Sequence, residues 1–108
     1  MAKKREYPYV PLFEREISPV HPGEVLLEEF LKPLNMSQTE LAKKLGVSYR
    51  TVNEIVNEKR SISPEMAIKL SAFFKTTPQF WMNLQRDYDL WRTYKKLERN
   101  SKIPVKRT

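Results

Sequence analysis

The chain has 108 residues, 12.9 kDa, with 40% hydrophobic and 11% aromatic residues, enough for one small domain around one core. It has no cysteine and one histidine, His21, which excludes a disulfide scaffold, a thiolate metal site, a cysteine nucleophile and a histidine-rich zinc site. The net charge is +7 (20 basic, 13 acidic) and the pI near 9.7, a balance that points to polyanions, nucleic acid first.

No apolar run approaches the roughly 18 residues of a membrane span. The first residues, Met1 to Pro8, are charged and lack the apolar stretch of a signal peptide, so a cytoplasmic protein is expected. Residues 1–20 hold Pro8, Pro11 and Pro19 and no helical period. Proline fixes φ and removes amide donors, so this segment reads as an extended N-terminal arm. Tyr7, Tyr9, Val10, Leu12 and Phe13 are many apolar groups for a linker. The arm either packs on its own domain or orders on a partner.

From residue 22 the pattern turns helical. Pro22 and Gly23 open a first helix, with Glu24 complementing its dipole. Val25, Leu26, Leu27, Phe30 and Leu31 supply the apolar face, and Pro33 predicts a stop near Leu31. Ser37 and Glu40 have the spacing of a capping box for a second helix, with Leu41, Ala42 and Leu45 inward and Gly46 as its left-handed end. Ser48 caps a third helix with Val52, Ile55 and Val56 on its apolar side, ending near Asn57. Ser63-Pro64 starts a fourth, lined by Met66, Ala67, Leu70, Phe73 and Phe74. Thr77-Pro78 starts a long fifth, with Trp81, Leu84, Tyr88 and Trp91 on one stripe and an end between Leu97 and Asn100. Residues 101–108 are a short basic tail. The fold class is therefore all-α, with five helices in one domain over residues 21–100.

Residues 37–57 carry the functional signal. A helix-turn-helix needs a small residue where its two helices cross and a turn residue that tolerates positive φ. Counting Gln38 as position 1, Ala42 is position 5, Gly46 position 9, Val52 position 15 and Ile55 position 18. Leu41, Leu45 and Val47 complete the apolar lock. The other face of the third helix suits the major groove. Arg50 can donate twice to guanine and Asn53 can pair bidentately with adenine. Glu54 can accept from cytosine N4, and Tyr49 can meet a base edge or a thymine methyl. Gln38, Ser48, Thr51, Asn57, Lys59 and Arg60 are expected on phosphates.

With these residues in view, Ser37 to Ser48 followed by Thr51 to Asn57 resembles the helix-turn-helix of the phage-repressor (Cro/C1, or XRE) superfamily. The flanks, His21 to Leu34, Ser63 to Leu70 and Thr77 to Trp91, are similar to those of HigA-type (VapI-like) antitoxins. The resemblance spans about residues 20–95. It implies a five-helix, lambda-repressor-like domain in a cytoplasmic homodimer bound to double-stranded operator DNA. It also implies a HigB-type partner, a RelE-like, ribosome-dependent mRNA endonuclease that such antitoxins neutralise while repressing their own operon. The arm at 1–20 lies outside the match.

The basic excess lies late in the chain: residues 61–108 carry ten basic and four acidic groups. Glu24, Glu28 and Glu29 form the one acidic cluster, which dipole compensation and solubility account for. A stand-alone regulator with the same DNA chemistry is the competing reading. An enzyme is disfavoured, because the chain offers no nucleophile–base pair, metal-ligand spacing or glycine-rich phosphate loop, and no metal or cofactor is expected. His21, just before a helix, is expected to cap or pack. A dimer is expected from the region of the fourth and fifth helices, with Tyr88 and Trp91 at the interface and Trp81 and Leu84 in the core. Aromatic residues anchor self-complementary patches well.

Overall fold

The computed structural model describes residues 18–100; the arm's residues 1–17 and the basic tail 101–108 lie outside it. Every regular element among the described residues is helical. Val20–Gln85 forms one compact unit, and residues from Arg86 on belong to a second.

The first helix, α1, covers residues 22–34. His21 sits before it in extended backbone, buried, and its Nδ1 accepts the Gly23 N–H at 2.8 Å. The single imidazole is thus a helix cap, as expected. Pro33 does not stop α1 near Leu31. The helix is α over Pro22–Val25, π over Leu26–Leu31 and α again over Lys32–Leu34, and it ends at Asn35 with φ 54°. The reason is the wider π turn. Lys32 N–H reaches back five residues to the Leu27 carbonyl. That register leaves room for the pyrrolidine ring. It also puts Pro33 at the start of the last α segment, where a missing N–H costs least.

The next four helices start on the caps their sequences specify. Helix α2, Gln38–Leu45, opens on a complete capping box: Ser37 Oγ accepts Glu40 N–H at 3.0 Å and Glu40 Oε1 accepts Ser37 N–H at 2.9 Å. It ends at Gly46, φ 71°. Helix α3, Tyr49–Val56, starts on Ser48, and α4, Pro64–Phe74, starts on Ser63. Helix α5, Pro78–Arg99, begins after Thr77, whose Oγ1 accepts Phe80 N–H at 3.1 Å. Helix α4 ends on Lys75 at φ 59°, a left-handed position that glycine usually fills.

Each helix contributes its apolar stripe to one core. Leu26, Leu31, Leu41, Ala42, Leu45, Val52, Ile55, Met66, Ala67, Leu70 and Trp81 are buried, with Ile62 added from the α3–α4 loop. Trp81 is fully covered. Its indole N–H donates to Thr76 Oγ1 at 2.8 Å, and Phe30 packs 5.4 Å from its ring. Leu84 packs partly buried against the same core, so both residues lie where expected. Gln85, buried, accepts the Ile62 N–H at 2.7 Å and ties the α3–α4 loop to α5. That bond satisfies a buried loop amide that would otherwise cost about 1–3 kcal/mol.

Candidate nucleic-acid interface

Two close approaches fix α3 on the domain. The first is the crossing with α2, where Ala42 is 4% exposed. The second lies at α1. A Cβ added to Gly23 would stand 1.8 Å from the Ile55 carbonyl oxygen, so only glycine lets the first turn of α1 lie on the α3 backbone. The Pro22-Gly23 dipeptide signalled a helix start but not this contact, which is non-local.

The outward side of α3 is organised by two polar networks. In one, Asn53 Nδ2 donates to Gln38 Oε1 at 3.0 Å and to Tyr49 Oη at 3.3 Å, and Asn57 Nδ2 donates to Asn53 Oδ1 at 3.2 Å. This joins the start of α2 to the middle of α3 across the turn. In the other, Glu54 is held between two arginines. Its Oε2 accepts from Arg50 Nε at 2.7 Å, and its Oε1 accepts from Arg60 Nε at 2.9 Å, with Arg60 Nη2 ion-paired 2.7 Å away. The hydrogen bond from Arg50 and then that from Arg60 hold the Glu54 carboxyl below the ordinary carboxylate range. The same pairing raises Arg50. Ser48 Oγ and Thr51 Oγ1 lie 2.9 Å apart at the start of α3.

The ten residues expected on DNA therefore lie at the start of α2, along α3 and in the loop behind it. Tyr49, Arg50, Lys59 and Arg60 are exposed, while Gln38, Thr51, Asn53 and Glu54 are half-buried. Their residue types are legible singly in the sequence; their mutual pairing is not. Arginine at four residues before and six residues after Glu54 was the available signal for the second network.

Tyr88 and Trp91 lie in the second unit on α5 and are half-buried; Arg92 stands 5.8 Å over the Tyr88 ring. Glu24, Glu28 and Glu29 are exposed on α1, and Glu28 pairs with Lys32 at 2.9 Å. Among the described residues, no cluster of His, Asp and Glu could hold a metal ion, and no helix is long and apolar enough to cross a membrane.

The helix-turn-helix family model matches residues 27–81. The chain is similar to the antitoxin HigA of Pseudomonas aeruginosa, solved with the higBA promoter: 45% identity, 82% of this chain and 96% of that one, TM-score 0.75. It is 39% identical over 85 residues to antitoxin HigA-1 of Vibrio cholerae, covering 79% of this chain and 80% of that protein. It is also 49% identical over 73 residues to an uncharacterized HTH-type transcriptional regulator of Haemophilus influenzae, covering 68% of each. Caps, crossing and turn lie where this architecture requires them, and the likeness covers far more of the chain than the motif alone. The chain belongs to the helix-turn-helix family and, within it, to the HigA-type antitoxins.

Proposed function

We propose that this protein is a cytoplasmic, sequence-specific DNA-binding antitoxin that represses its own operon as a homodimer and neutralises a HigB-type mRNA endonuclease. The observation that supports DNA reading most is the outward side of α3. It is polar, pinned by α1 and α2 behind it, and it groups groove-reading side chains at one helix start. Arg50 reads guanine N7 and O6. Asn53 reads adenine: its Oδ1 keeps a second lone pair beside the Asn57 bond, and exchanging the longer bond to Tyr49 frees one amide proton for N7. Tyr49 adds a base-edge or thymine-methyl contact. Gln38, Ser48, Thr51, Asn57, Lys59 and Arg60 take phosphates.

Pairing of two copies through Tyr88 and Trp91 would bring two copies of α3 into one molecule, and helix-turn-helix readers commonly pair on half-sites about 34–36 Å apart. Sedimentation tests this: the wild type should dimerise at micromolar concentration and a Trp91→Glu variant should not. A variant that pairs as well as its parent removes these residues from the interface.

The overall reading is tested on the DNA upstream of the protein's own gene and on its neighbouring gene. The protein should shift that DNA in preference to a scrambled duplex, and co-expression should relieve the toxicity of the neighbour's product. The similarity to a transcriptional regulator favours one second reading, a repressor without a toxin. Discrimination on DNA with no toxic neighbour selects it.

A further inference from the structure

Glu54 is an acid on a face built for a polyanion. A lone carboxylate there would repel DNA, and it would do so at every sequence. Its side chain is 25% exposed, against 80% for Arg50 and 44% for Arg60. The two oxygens are divided between the arginines. Oε1 takes Arg60 Nε and ion-pairs with its Nη2, and Oε2 takes Arg50 Nε. Arg50 is held at its inner nitrogen only. Its terminal nitrogens, Nη1 and Nη2, are the pair that meets guanine O6 and N7 end-on, and among the described residues they have no partner. Arg60 lies in the loop after α3, so the same carboxylate ties that loop to the helix.

We infer that Glu54 is a specificity-determining positioning residue: it holds Arg50 by Nε in the pose that reads guanine and couples that pose to Arg60 on the DNA backbone. The inference rests on the DNA reading proposed above. Its physical content is a trade. An unrestrained arginine beside DNA finds a phosphate anywhere, with gain of affinity at every sequence. A restrained arginine finds a partner only where a guanine stands. Glu54 gives up general affinity and gains discrimination. The hydrogen bonds from Arg50 and then Arg60 hold the carboxyl below its ordinary range.

The experiment compares five versions of the full chain: wild type, Glu54→Gln, Arg50→Ala, the double variant and Glu54→Asp. Each is titrated by fluorescence anisotropy against the duplex upstream of its own gene and a scrambled duplex of equal composition, at several salt concentrations. Glu54→Gln should raise affinity for the scrambled duplex severalfold and lower the ratio of upstream to scrambled affinity roughly tenfold. Its salt dependence should steepen by about one phosphate contact. In the Arg50→Ala background, Glu54→Gln should lower the ratio no further, because the arginine it positions is gone. Glu54→Asp separates charge from reach: it should lower the ratio without the gain on scrambled DNA.

An unchanged ratio in a folded Glu54→Gln protein overturns the inference and leaves the DNA reading standing. So does a loss that persists in the Arg50→Ala background, which would make Glu54 a reader of cytosine itself. A wild type that does not discriminate between the two duplexes overturns the DNA reading, and the inference with it.

Discussion

The two sides of α3 are held by different physics. The inner side, Val52, Ile55 and Val56, is buried among apolar neighbours and pressed against α1 at Gly23. The outer side, Tyr49, Arg50, Asn53, Glu54 and Asn57, is held by hydrogen bonds and ion pairs among its own members and to Gln38 and Arg60. Apolar packing tolerates no new atom and yields no alternative arrangement of similar energy. Exposed polar pairs are individually weak and exchange readily with other partners. The inner side therefore sets where the helix stands; on the proposed reading the outer side can exchange a long bond such as Asn53 to Tyr49 for DNA, while Glu54, held by two arginines, keeps Arg50 in place. Changes inside should cost the fold, and changes outside should cost mainly reading.

The largest expected effect is on the inner side. Gly23→Ala places a methyl on the Ile55 carbonyl, which is backbone and cannot rotate away. We expect a loss of roughly 1–3 kcal/mol of stability by chemical denaturation, with DNA affinity falling at all sequences because α3 is displaced. An alanine variant as stable as the wild type would show that α1 and α3 can separate freely. On the outer side, Arg50→Ala removes an exposed ion pair and should lower stability far less than Gly23→Ala. It should cost roughly 1–3 kcal/mol of operator affinity, at one base position. Lys59→Ala should weaken operator and scrambled duplexes alike and flatten the salt dependence. If Arg50→Ala lowers stability as Gly23→Ala does, the distinction between the two sides fails.

The smallest effect is a titration. The folded value of Glu54 is lowered, so the clamp contributes stability above the unfolded value and loses it as pH falls through the folded one. The side-chain carboxyl carbon of Glu54 should titrate below the ordinary 4.5. Arg50→Ala should move the midpoint up most, and Arg60→Ala less. A Glu54 midpoint at the ordinary value would remove the clamp from solution.

The contrast between the two sides also explains what the sequence could disclose. Caps and turn are local: Ser37 with Glu40, Gly46, Ser48, Ser63-Pro64 and Thr77-Pro78 each specify an end within a few residues, and each end falls there. The apolar stripes repeat at helical spacing, so the core residues of all five helices were visible as well. Pro33 misled because the π turn that accommodates it has no local signature. Lys75 ends α4 in a left-handed conformation with no glycine to announce it. Ile62, a core residue, lies in a loop where no periodicity marks it. At the interface, the residue types and the helix were legible, but the bonds were not. Gln38 and Asn53 are 15 positions apart, and only the fold brings them together.

The central claim is that the outer side of α3 reads DNA while its inner side stays fixed. Nuclear magnetic resonance of the ¹⁵N-labelled full chain, titrated with the duplex upstream of its own gene, measures both at once. The side-chain resonances of Arg50 Nε and Asn53 Nδ2 should shift on binding, together with the backbone amides of residues 48–60. The amides of Leu41, Leu70 and Trp81 should hold their positions. Shifts concentrated on the outer face of α1, with Arg50 and Asn53 unmoved, would contradict the claim.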